Sequence, residues 1–175
     1  MIEFLNKWHR LVARLASAVE SPFLLVVRLY WGWQFLQTGW GKLNDIPKVT
    51  AFFTNLGIPA PALNAWFVAG LEFGGGALLI LGLASRFIAM PLVIDMIVAY
   101  ATADREALFS IFSNRDKFTG AAPYTFLFAS LLVLIFGPGR YGLDELVVRR
   151  SVAATRAARP EASLRGAFGT MTRYR

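Results

Sequence analysis

Four stretches of this chain, residues 23–40, 63–83, 87–103 and 122–136, are apolar on nearly every helical face, and that leaves few folds open. A helix at the surface of a soluble protein keeps a polar side toward water. Here the charges crowd instead into the chain ends and the connections. About 20 apolar residues wound as a helix at 1.5 Å per residue match the hydrocarbon thickness of a bilayer, about 30 Å. The fold expected is all-α: an integral membrane four-helix bundle preceded by an N-terminal amphipathic helix. A soluble bundle would need amphipathic stripes, which the second and fourth stretches lack. The apolar fraction is 56%, against about 45–50% in soluble domains.

The charge pattern orients the chain. Three parts are expected: an amphipathic helix over 1–21, a transmembrane domain over 22–150 and a basic cytoplasmic tail over 151–175. In the first part Ile2, Leu5, Trp8, Val12, Leu15 and Val19 recur at three- and four-residue spacing, with Lys7, Arg10 and Arg14 largely off that face. Such a helix either lies in the membrane interface or packs beneath the bundle. Pro22 suits a helix's first turn and marks the start of the first span. Basic residues gather beside the inner ends of spans: Lys7, Arg10 and Arg14 before the first, Arg86 in the short turn between the second and third, and eight arginines against three acids after Phe136. The connections 41–64 and 104–122 carry little net charge. Both termini are therefore expected in the cytoplasm. The net charge of +7 is read as contact with anionic lipid headgroups, with no nucleic-acid partner. The first connection has the look of a short interfacial helix closed by a turn at Gly57, Pro59 and Pro61.

Several chemistries drop out. The chain has no cysteine and one histidine, His9. Thiol exchange is excluded, and no zinc-type ligand cluster is expected. What remains is a set of polar residues inside the apolar stretches. An ionisable side chain in hydrocarbon normally faces protein or water and finds a partner. Arg28, Glu72 and Asp95 are such residues, with Gln34 and Tyr100 as added hydrogen-bonding capacity and Lys42 at the outer end of the first span. They are the candidate ligand-binding residues, and Arg28 is expected to pair with Glu72. Two readings stand side by side: a polar cavity that holds a headgroup or quinone oxygen, or charges that only fix helix packing. Gly70, Gly74, Gly75 and Gly76 make a small-residue surface on the second span. It serves packing within one chain or contact between two copies, most simply a homodimer.

A joint pattern runs through residues 23–144. It comprises Arg28, Gly32, Phe35, Gly39 and Lys42; Glu72, Gly75 and Leu79; Leu81-Gly82-Leu83, Arg86 and Ala89; Met96 and Ala99; and Gly137, Gly139, Tyr141, Gly142 and Asp144. In this the chain resembles the DoxX family of small four-helix membrane proteins. The resemblance implies a protein of the bacterial cytoplasmic (inner) membrane. It also implies an auxiliary subunit of a redox complex, with quinone or a similar amphiphile as ligand and a redox protein as partner. The alternatives are a transporter or binding protein for lipids or small molecules, and a structural assembly factor. The family carries no established catalytic set onto these residues, so whether the chain is an enzyme stays open.

Overall fold

Pro22 does not begin a helix. In the computed structural model a single helix, α1, runs Ile2–Asn44 with Pro22 inside it. The described residues are 2–144, with the side chains of 2–5, 13, 14 and 17 left out; the expected basic tail lies outside them. The separate helix expected over 1–21 is thus the leading part of α1. Proline removes one backbone donor and crowds the preceding turn, but within a long helix the neighbouring turns hold the path. The remaining helices are α2 (Ile46–Asn55), α3 (Pro61–Leu81), α4 (Ser85–Thr102), α5 (Arg105–Phe109), α6 (Arg115–Gly120) and α7 (Ala122–Phe136). Every regular element described is helical.

Local chemistry fixes the ends. Asp45 caps α2 through a bond from the Lys48 amide, 3.2 Å, and Pro47 takes one of the first turn's donor-free positions. The return to α3 is pinned where Asn64 Nδ2 donates to the Pro59 carbonyl, 2.6 Å. Helix α3 stops at Gly82, whose φ of +66° is left-handed. The amides of Gly82 and Leu83 bond back to the Leu79 and Leu78 carbonyls. Asp144 then accepts from the amides of Ala84 (2.7 Å) and Ser85 (3.0 Å), satisfying the start of α4 from a distant part of the chain.

The second half of α1 lies on α3, α3 on α4, α4 on α7, and α7 returns to α1. Val27, Phe35, Leu79, Ala89, Leu92, Met96, Ala129 and Val133 form the core between them. Helices α1 and α3 touch backbone to backbone. A Cβ on Gly39 would run into the backbone of Phe73, and one on Gly76 into that of Gly32 and Leu36. The glycines of α3 divide accordingly. Gly75 and Gly76 serve packing inside the chain, while Gly70 and Gly74 meet open space.

Outside this core the surface is oily. Leu63, Trp66, Phe67, Phe87, Ile94, Ile97, Phe128 and Ile135 are all exposed. A soluble monomer seldom carries so much contiguous apolar surface. Among the described residues, α3 and α4 are each long and apolar enough to cross a membrane, and α7 is a shorter apolar helix.

Candidate functional site

The polar residues predicted to gather in one centre separate into two, at opposite ends of the packed helices. Arg28, 1% exposed, does not reach Glu72. Its Nε donates to the Leu79 carbonyl at 3.0 Å, its Nη2 to Ile80 at 3.4 Å, and its Nη1 to Pro138. Asp144 supplies negative charge nearby. The reason is register. Helices α1 and α3 are antiparallel and bring Gly32 beside Ile80 and Gly39 beside Phe73. Arg28 therefore lies level with the end of α3, about 14 Å along the axis from Glu72, two and a half helical turns away. The last carbonyls of a helix have no partner within it. The five N–H groups of a guanidinium answer that need.

Glu72 meets Lys42 instead. The Lys42 ammonium donates to Glu72 Oε1 at 2.6 Å. The two residues differ in access: Lys42 is 31% exposed at its side chain and Glu72 3%. The close approach of α1 and α3 at Gly39 makes the pair reachable, since Gly39 precedes Lys42 by one turn and sits against Phe73, the residue after Glu72. Asp95, on α4, brings a second carboxyl against Glu72 and within the field of Lys42. Oε2 of Glu72 and Oδ2 of Asp95 are buried and have no hydrogen-bond donor.

These three residues line one cavity of about 970 Å³, a size suited to a drug-sized or larger ligand. Around Lys42, Glu72 and Asp95 the walls are apolar: Phe52 and Phe53 of α2, Val68 of α3, Met96 of α4 and Phe126 of α7. Asp45, Lys48 and Asp104 also line it. Phe35 and Phe126 meet edge to face, 4.7 Å between centroids, which fixes the Phe126 wall against the core. An ammonium and two carboxyls can orient a polar headgroup. Among the described residues no three metal-ligating side chains gather.

Of the six residues predicted, Lys42, Glu72 and Asp95 are brought together. Arg28 seals the other end. Gln34 is half-buried and does not line the cavity. Tyr100 is buried, but its hydroxyl donates to the Phe118 carbonyl at 2.7 Å and its ring stacks on Phe118. It ties α4 to the segment before α7 and stands outside the cavity. The contribution of α2 was not anticipated. Its apolar residues signalled an interfacial helix, and the sequence carried no sign that Phe52 and Phe53 would wall a cavity.

The DoxX family model matches residues 23–105. An uncharacterized membrane protein of Mycobacterium tuberculosis is 32% identical, over 80% of this chain and 90% of its own length. The inner membrane protein YqjF of Escherichia coli is 26% identical, over 75% of this chain and 97% of its own. CatD of Bacillus subtilis, provisionally named an oxidoreductase, is also 26% identical, over 71% and 87%. No solved structure matches. With the matched region running from Phe23 of α1 to the start of α5, this chain is a membrane protein of the DoxX family.

Proposed function

We propose that the chain binds quinone or a similar amphiphile in the Lys42–Glu72–Asp95 cavity and serves a membrane redox complex as an auxiliary subunit. The observation that carries this reading is the pairing of a three-charge cluster with apolar walls in one cavity of about 970 Å³. A ring carbonyl would accept from Lys42. A ring hydroxyl would donate to the unpartnered oxygen of Glu72 or Asp95. The tail would run between Phe52, Phe53, Val68 and Met96. Quinone reduction takes up two protons with two electrons. Two facing carboxyls are suited to hold a proton beside the ring, and a partner protein would supply the electrons. The name of the Bacillus relative supports a redox setting.

In this reading the second half of α1 and helices α3, α4 and α7 all cross the inner membrane. Both termini are cytoplasmic, and α2, α5 and α6 are outside. The arginine and lysine bias of the sequence supports that orientation. Reporter fusions after Arg150 and within 104–122 test it, and an externally active reporter after Arg150 overturns it.

A photoreactive quinone analogue added to the purified protein in nanodiscs should label peptides of α2 and α3. Excess quinone should compete with it, and Lys42→Met and Glu72→Gln should weaken labelling. No competable labelling, or labelling equal in both variants, refutes quinone binding. A stable partner that co-purifies without quinone binding would instead favour a structural assembly role.

A further inference from the structure

Every described side chain from Asn6 to Glu20 is exposed. The packed helices end near Ser21, whose Oγ accepts from the Arg140 amide at 3.4 Å. Beyond that level α1 continues for about 28 Å. An isolated helix of this length in water is marginal, yet Val12, Leu15 and Val19 are 57%, 58% and 62% exposed along one side. To lay that side on the membrane surface, the helix would have to turn through roughly a right angle as it leaves the span. Pro22 has no amide hydrogen to donate, yet α1 runs through it as one helix. With the second half of α1 crossing the membrane, as proposed above, a helix continuing in line would carry this side away from the bilayer.

The spacing of that side is specific. Leu5, Trp8, Val12, Leu15, Val19, Pro22, Val26 and Leu29 alternate steps of three and four, so the seam repeats every seven residues. Val26 and Leu29 are exposed too, which carries the seam unbroken into the span. A seven-residue repeat is the signature of a helix supercoiled with another. Val12, Val19 and Val26 take the first core position, and Trp8, Leu15, Pro22 and Leu29 the second, where leucine fills two of the four places. β-branched residues at the first position favour two parallel strands.

Charge placement agrees. Two copies inserted in one membrane with the same orientation must pair parallel and in register, so each residue beside the seam meets its own twin. Like charges there would repel. The described positions flanking the seam hold His9, Leu11, Ala16 and Ala18, while Lys7, Arg10 and Glu20 fall on the far side. We infer that a second copy of this chain covers the seam, forming a parallel two-helix coiled coil over residues 5–29 that holds the protein as a dimer. The inference is independent of what the cavity binds.

The chain lacks cysteine, so single-cysteine variants report cleanly on proximity. Full-length Val12→Cys, Leu15→Cys and Val19→Cys, oxidised in membranes, should give several-fold more disulfide dimer than Lys7→Cys and Arg10→Cys. Leu15→Lys should shift the purified protein from dimer to monomer in native mass spectrometry while leaving the thermal unfolding of the packed helices in place. Cross-linking that is equal on both sides of the helix overturns the inference. So does proximity of the seam to residues 145–175 of the same chain, or a lipid-buried signal from spin labels at 12, 15 and 19.

Discussion

Replacing Lys42 by methionine keeps an unbranched stem one atom shorter and removes the charge, and the structure says which partner then suffers. Glu72 is 3% exposed, its Oε1 takes the only side-chain bond shown for it, at 2.6 Å, and its Oε2 has no donor. With the ammonium gone, Glu72 faces Asp95 across the cavity with no cation between them. Removing one partner of a buried pair costs about 3–5 kcal/mol, and Lys42→Met should fall in that range. The reverse change is milder. In Glu72→Gln, Lys42 is 31% exposed and keeps Asp95 as a neighbour, so the loss should be about 1 kcal/mol, that of an ordinary hydrogen bond. At 1.4 kcal/mol per factor of ten, a gap of about 2–4 kcal/mol separates the unfolding constants by roughly 30- to 1000-fold. The double variant should recover most of what Lys42→Met loses. Reversible unfolding in mixed detergent micelles, followed by far-UV circular dichroism, measures all three. Equal losses in the two single variants, or a double variant no better than Lys42→Met, would refute the asymmetry.

The other predictions concern the far end, the helix contact and the outer connection. Arg28→Met removes the guanidinium's bonds to the carbonyls of Leu79, Ile80 and Pro138, of which Leu79 keeps its bond from the Gly82 amide, and should cost about 2–4 kcal/mol in the same assay; Arg28→Lys should recover only part, because an ammonium lacks the guanidinium's fork. Gly39→Ala drives a Cβ into the backbone of Phe73 and should destabilise by about 1–3 kcal/mol, whereas Gly74→Ala, with nothing near its Cβ, should leave stability unchanged or slightly raised. Glu106 titrates below the ordinary glutamate range because it accepts a hydrogen bond from Lys117 at 2.8 Å and lies in that ammonium's field. The stability this link contributes is present above the unfolded-state value and is lost as pH falls through the depressed one. Carbon-detected NMR of Glu106 should show its midpoint rising to the usual range in Lys117→Met.

Much of this was legible before any coordinates. Helices α3, α4 and α7 fall where the apolar runs placed them, and α2 where the first connection looked like a short interfacial helix. Glu72 and Asp95 could be picked out because an ionisable group in hydrocarbon needs a reason to be there. Their partner could not. Choosing between Arg28 and Lys42 requires the axial register of two antiparallel helices, and that register is set by Gly32, Gly39 and Gly76 fitting against backbone. Sequence names those glycines but does not say which turn of α3 each meets. Arg28 was misread for a related reason. A lone cation suggests an anion, yet here the acceptors are backbone carbonyls, which every residue carries and no sequence singles out. The continuity of α1 was hidden because Pro22 is compatible both with a helix start and with a helix interior whose neighbouring turns hold it.

The guanidinium wedged under the end of α3 has a consequence for traffic. From Arg28 to Lys42 is about 21 Å of α1, and the space between is filled by Phe35, Leu79, Leu92 and Val133, each no more than 2% exposed. The packed core thus closes the cavity on the Arg28 side, and on the quinone-binding proposal a ligand held by Lys42, Glu72 and Asp95 would not pass through this core to the other end of the packed helices.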